Sequence, residues 1–117
     1  MHPYVLAVTG ASAQPLAERA LQLLLRRGRE VHLVLSRGAH EVFRAEQGLR
    51  IPVAPDEQEH FWREHLAESG GTLVCHRWND QSASIASGSF RTRAMLILPC
   101  SMGTVGRIQA EIGRAHV

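Results

Sequence analysis

Residues Tyr4 to Thr9, YVLAVT, form a short and nearly continuous apolar run that stops at Gly10. Such a run reads as a strand buried on both faces, the kind found in parallel sheets. From Pro15 to Arg27 the pattern becomes helical, with Leu16, Ala20, Leu23 and Leu24 on one stripe and Glu18, Arg19, Gln22 and Arg26 facing elsewhere. Gly28 stops this helix, and Arg26 and Arg27 sit in its last turn, where cations suit the dipole. Glu30 to Leu35, EVHLVL, is a second strand. Strand, helix and strand in so short a stretch make a βαβ unit, which favours a parallel sheet and a right-handed crossover.

The remaining chain continues in that style. Gly38 to Gln47 is expected as a second helix stopped by Gly48. Asp56 to Glu68 reads as a mainly surface helix with Phe61, His65 and Leu66 on its inner edge, ended by Gly70-Gly71. Thr72 to Cys75 is expected as a short strand, Arg77 to Ser89 as a long polar loop, and Ala94 to Leu98 as the last strand, ended by Pro99. A loop of that length in a compact domain is usually functional or mobile.

Composition narrows the chemistry. The 117 residues suit one small domain, with 44% hydrophobic, 21% charged and a net charge of +2. All 13 basic residues are arginine, which excludes a lysine Schiff base, a lysine on a nucleotide phosphate and a lysine general base. The weak net charge makes no case for nucleic acid or membrane surfaces as partners. Two cysteines, Cys75 and Cys100, make neither a disulfide framework nor a zinc site. With no span-length apolar run and no signal-peptide pattern, a cytoplasmic protein is the expectation.

The serines carry the functional signal. Ser12 follows the first strand, Ser36 the second, and Ser101 with Thr104 the last. In a parallel sheet all three positions lie on the carboxyl edge, where open α/β folds bind ligands. Gly10-Ala11-Ser12 offers close backbone approach, free N–H groups and a hydroxyl at a helix start, a combination that suits a phosphate. Ser101-Met102-Gly103-Thr104 repeats it. The same residues also serve as ordinary helix N-caps. TGASAQP lacks the GxGxxG spacing of a dinucleotide site, and Ser36 stands where a ribose-binding acid would be wanted. Arg37 leaves a 2′-phosphate open, but a mononucleotide fits better.

TGAS after the first strand, VLSRGA after the second, IASGSF in the long loop and PCSMGT after the last together resemble the flavin prenyltransferases, from about Tyr4 to Ile108. The resemblance implies an α/β domain, flavodoxin-like or Rossmann-like, with a three-layer parallel sheet that binds reduced FMN without a metal. It implies transfer of a dimethylallyl group from dimethylallyl monophosphate to N5 of the flavin, with closure of a fourth ring at C6. The product serves partner decarboxylases of ubiquinone and aromatic-acid metabolism. Homododecamers with sites at subunit interfaces are usual. Gly10, Ala11 and Ser12 match the first FMN-binding turn, Ser36 the second, and Ser101, Met102, Gly103 and Thr104 the third. Glu46 matches an acidic position near the prenyl site, where a carboxylate would steady an allylic cation or assist proton movement. It is also simply a residue of a solvated helix face. The related flavin-dependent cysteine decarboxylases are the rival enzyme class, and a non-catalytic FMN-binding fragment is a third reading.

Two positions depart from the resemblance. Ala13 replaces a glycine common in the first turn, and Gln81 follows Asn79-Asp80 where an aromatic is expected, with Trp78 just before the pair. His60, Glu64 and His65 do not have metal-site spacing, and Cys100 has no histidine paired to it by sequence. Phe61-Trp62 reads as a packing anchor or subunit contact. Residues 1–110 are expected to be the N-terminal part of the FMN-binding domain, truncated before the prenyl-phosphate site, with weak FMN binding, no prenyl transfer and an aggregation-prone sheet edge. The final seven residues, EIGRAHV, are the in-frame reading of a common sequencing-library adapter, so 111–117 are expected to be non-native.

Overall fold

In a computed structural model, residues 2–11, 14–79 and 93–98 are described. In chain order the elements are β1 (Tyr4–Val8), α1 (Gln14–Arg26), β2 (Glu30–Leu35), α2 (Arg37–Gln47), α3 (Pro55–Leu66), β3 (Thr72–His76) and β4 (Ala94–Ile97). The strands form one parallel sheet in the order β3-β2-β1-β4. Leu6 lies beside Leu33 and Leu96, and Leu33 beside Cys75. The chain winds outward from β1 to β3 and then returns to the other side of β1. Of the two expected topologies this is the Rossmann-like order, with its direction reversing between β1 and β4.

The core explains the placement of the helices. Leu6, Val8, Val31, Leu33 and Leu35 are buried with Leu21 and Leu25 of α1, Phe43 of α2, and Trp62 and Leu66 of α3. Residues from all three helices meet Val8 and Leu33 around a void of only about 10 Å³, so α1, α2 and α3 share one face of the sheet. Trp62 is 2% exposed and meets Phe43 and Phe61 edge-on, at 5.7 and 5.1 Å. It is the packing anchor that the sequence suggests. On the opposite face His32 is buried and its ring nitrogens lie 2.8 Å from Glu30 and from His76. No helix covers that face among the described residues.

Two expected faces are corrected. On α1 the buried residues are Gln14, Ala17, Leu21 and Leu25, whereas Leu16 is 62% and Leu23 37% exposed. Leucine lies on most of the circumference of this helix, so apolarity alone does not set its rotation. Glu18 and Gln22, expected to face away, instead reach α3: Glu18 accepts from His65 at 2.8 Å and Gln22 donates to the Leu66 carbonyl at 3.1 Å. On α3 the buried residues are Gln58, Trp62 and Leu66, while Phe61 is half-buried and His65 stacks on it at 5.4 Å. That helix stops at Leu66, before the glycines, because Ala67 adopts the left-handed conformation with φ 51°.

Candidate functional site

Two strand-end turns meet at the carboxyl edge. After β1, Thr9 is buried and Gly10 exposed, and Ala11 N donates to the Thr9 carbonyl at 2.9 Å. Gln14, fully buried at the start of α1, donates from Nε2 to the carbonyls of Thr9 and Ala11, both at 3.0 Å. One side chain therefore fixes the turn. After β2, Ser36 N donates to the Val8 carbonyl at 2.9 Å, which ties this turn to the end of β1. Ser36 Oγ caps α2 by accepting from Ala39 N at 3.0 Å.

The two turns touch through glycine. A Cβ on Gly10 would stand 2.9 Å from the Gly38 carbonyl carbon, and one on Gly38 would stand 3.3 Å from the Gly10 Cα. A side chain on Gly10 would part the turns, and one on Gly38 would be tight against Gly10. Beside this contact, the N–H groups of Arg37 and Gly38 open α2 and have no acceptor within the helix. The positive end of the helix dipole and these donors favour an anion. Ser36 realises the N-cap reading, yet a hydroxyl that accepts still has its own O–H to donate. The arrangement suits a phosphate seated against bare backbone.

Of the residues singled out from sequence, Gly10, Ala11 and Ser36 are brought together here. Glu46 is not: it lies exposed in the last turn of α2, roughly 15 Å of helix rise from Ser36. Leu98 N donates to the Ala7 carbonyl at 2.9 Å, so β4 leaves the sheet at the same edge. Ser12, Ser101, Met102, Gly103 and Thr104 lie outside the described residues, as do Ala13, Gln81, Cys100, the IASGSF stretch of the long loop and residues 111–117. Gly38 and Gln14 are the residues that sequence reasoning missed. The small residue in SRGA was the available signal for Gly38. Nothing local announces the two carbonyls that Gln14 satisfies.

The surrounding groups have other partners. Trp78 is 40% exposed and meets His40 edge-on at 5.4 Å. Burial lowers the pKa of half-buried His40, opposed by a hydrogen bond to the Ile51 backbone. Burial, reinforced by the Glu59 carboxylate, raises that of the Cys75 thiol. His60 pairs with Glu64 at 3.2 Å and His65 with Glu18 at 2.8 Å, so the three residues of the discarded metal reading do not converge. Among the described residues no cluster of metal-binding side chains occurs, and no helix is long and apolar enough to cross a membrane.

The sequence profile of the family described as Flavoprotein matches residues 1–113. The chain is similar to the flavin prenyltransferase UbiX of Synechocystis sp., with 46% identity over 107 residues, covering 91% of this chain and 52% of that protein. It is similar also to the flavin prenyltransferase UbiX of Pseudomonas aeruginosa, with 36% identity covering 88% of this chain and 49% of that one. The crystal structure of AnUbiX (PadA1) in complex with FMN and dimethylallyl pyrophosphate superposes with a TM-score of 0.72 at 32% identity, over 95% of this chain and 52% of that one. A dodecameric FMN-dependent Ubix-like decarboxylase from Escherichia coli O157:H7 gives 0.68 at 33% identity, over 92% and 52%. The chain spans about half the length of the curated relatives it matches.

Proposed function

The chain belongs to the flavoprotein family, and on that premise we propose that it carries part of the FMN site of a flavin prenyltransferase. The observation that carries this reading is the Gly10–Gly38 contact beside the Ser36-capped start of α2. It is a close backbone approach that a Cβ on Gly10 would push apart, beside the backbone donors that open α2, at the edge where β1 and β4 end. Likeness to relatives named as flavin prenyltransferases supports it, and does not favour the cysteine decarboxylases.

Gly10, Ala11 and Ser36 would hold the FMN phosphate, with Ser12, Ser101, Met102, Gly103 and Thr104 completing the site. When bound, reduced FMN supplies the nucleophilic N5 that accepts the dimethylallyl group of dimethylallyl monophosphate. The chain's own part is to seat the phosphate and keep it oriented. Glu46 is proposed to steady positive charge on the allylic group. Its place at the far end of α2 suits service in the site of a neighbouring copy, in an oligomer like that of the dodecameric structure. A cytoplasmic setting and delivery of prenylated flavin to a decarboxylase complete the proposal.

The test is titration of FMN into the chain, followed by quenching of flavin fluorescence, beside Gly10→Val. Saturable quenching that weakens by about tenfold or more in the variant is expected, since the valine side chain must part the two turns. Equal quenching by both chains, or none by either, sinks the reading.

A further inference from the structure

We propose that the cleft between α2 and the 49–53 connection is a second ligand site, for a small organic monoanion whose carboxylate is joined to a compact apolar body such as an aryl ring. The cavity measures about 300 Å³. Its wall is apolar where Ile51, 7% exposed, and Leu49 and Val53 line it. Its cations are Arg44 from the third turn of α2 and Arg50 from the connection.

Neither guanidinium is in an ion pair among the described residues, while the carboxylate of Glu41 on the same lining lies 4.0 Å from Arg37. Two cations against one engaged acid leave a net positive cleft. Guanidinium is the group best shaped to take a carboxylate through paired hydrogen bonds. Its lining mixes these three apolar side chains with four polar or charged ones, His40, Glu41, Arg44 and Arg50, and its volume is at the small end for a small-molecule site. It accommodates a ring rather than a nucleotide. His40 lines the cleft from α2 and Ile51 from the connection, so the two segments meet across it. It is distinct from the Gly10–Gly38 edge, from which Arg44 is separated by about two turns of α2.

Calorimetric titration of sodium benzoate into the 117-residue chain tests this. Trp78 touches His40, so its emission should change along the same isotherm. Saturable binding is expected, weakened by about tenfold in an Arg44→Gln/Arg50→Gln double variant and unchanged in Arg26→Gln. Val53→Trp, which fills the cleft without removing a charge, should abolish it. Saturating FMN should leave it intact. Failure to saturate, full affinity in the double variant or in Val53→Trp, or displacement by FMN overturns the proposal. So does equal binding of benzyl alcohol, which lacks the charge, or of inorganic phosphate, which lacks the apolar body. Because FMN is a separate arm, this site can fail while the flavin reading stands, and the reverse.

Discussion

His40 is the residue whose environment most clearly sets a pH dependence. Its ring is half-buried between Trp78 and the Ile51 backbone, and desolvation lowers its pKa from the ordinary 6.5. The unfolded chain therefore binds this proton more readily than the native one. The sign follows: the stability gained by keeping His40 neutral is present above about pH 6.5 and is lost as pH falls from there through the lowered native value. Between pH 7.5 and 5.5 the urea midpoint of the native sequence should drop by more than that of His40→Gln. Equal drops would show that the ring titrates as it does in water. Ser36 teaches a different lesson at this scale. A serine after an apolar run and before a helical pattern is legible as a cap, and Oγ does cap Ala39. What was not legible is that the backbone of Gly38, two residues on, packs so closely on Gly10 that a Cβ there would stand 2.9 Å from it.

At the scale of elements, the strands were readable because YVLAV and EVHLVL are buried runs between glycines and polar turns, leaving one choice of structure. The helices were readable as helices but not in rotation. On α1, leucines at 16, 21, 23, 24 and 25 permit several buried stripes. The choice is made by Gln14, whose two hydrogen bonds to the preceding turn bring Ala17, Leu21 and Leu25 inward. The end of α3 is similar. Gly70-Gly71 looks like the stop, yet the chain turns at Ala67 because Arg63 reaches forward from the helix and gathers the carbonyls of Glu68, Gly70 and Gly71. That clamp aims the chain into β3. Arg63→Met keeps much of the aliphatic stem but leaves three carbonyls without their donor. Because the site is half-buried, water replaces part of the loss, and a cost of about 1–3 kcal/mol is expected in chemical denaturation. A change below about 0.5 kcal/mol would mean that the loop holds its course without the arginine.

At the scale of the whole molecule, the order β3-β2-β1-β4 collects turns distant in sequence onto one edge, and three helices on one face make a single core. Contacts of that kind, Gly10 with Gly38 or Glu18 with His65, join segments that no local pattern relates, so sequence periodicity is silent about them. Cys75 reports on the integrity of that core. Its side chain is 3% exposed on β3, beneath α3, and its backbone N–H donates to Glu59 Oε2 at 2.8 Å. Burial acts on its reactivity twice, by denying reagent access and by raising the thiol pKa so that little thiolate forms. In a Cys100→Ser background, iodoacetamide should therefore modify native protein at pH 8 by about a thousandfold or more slowly than urea-unfolded protein. If modification requires opening of the sheet, the logarithm of its rate should rise linearly with urea at the slope of the global unfolding transition. A rate within about tenfold of the unfolded chain, or one indifferent to urea below the transition, would show that β3 and α3 part from the core without unfolding the rest.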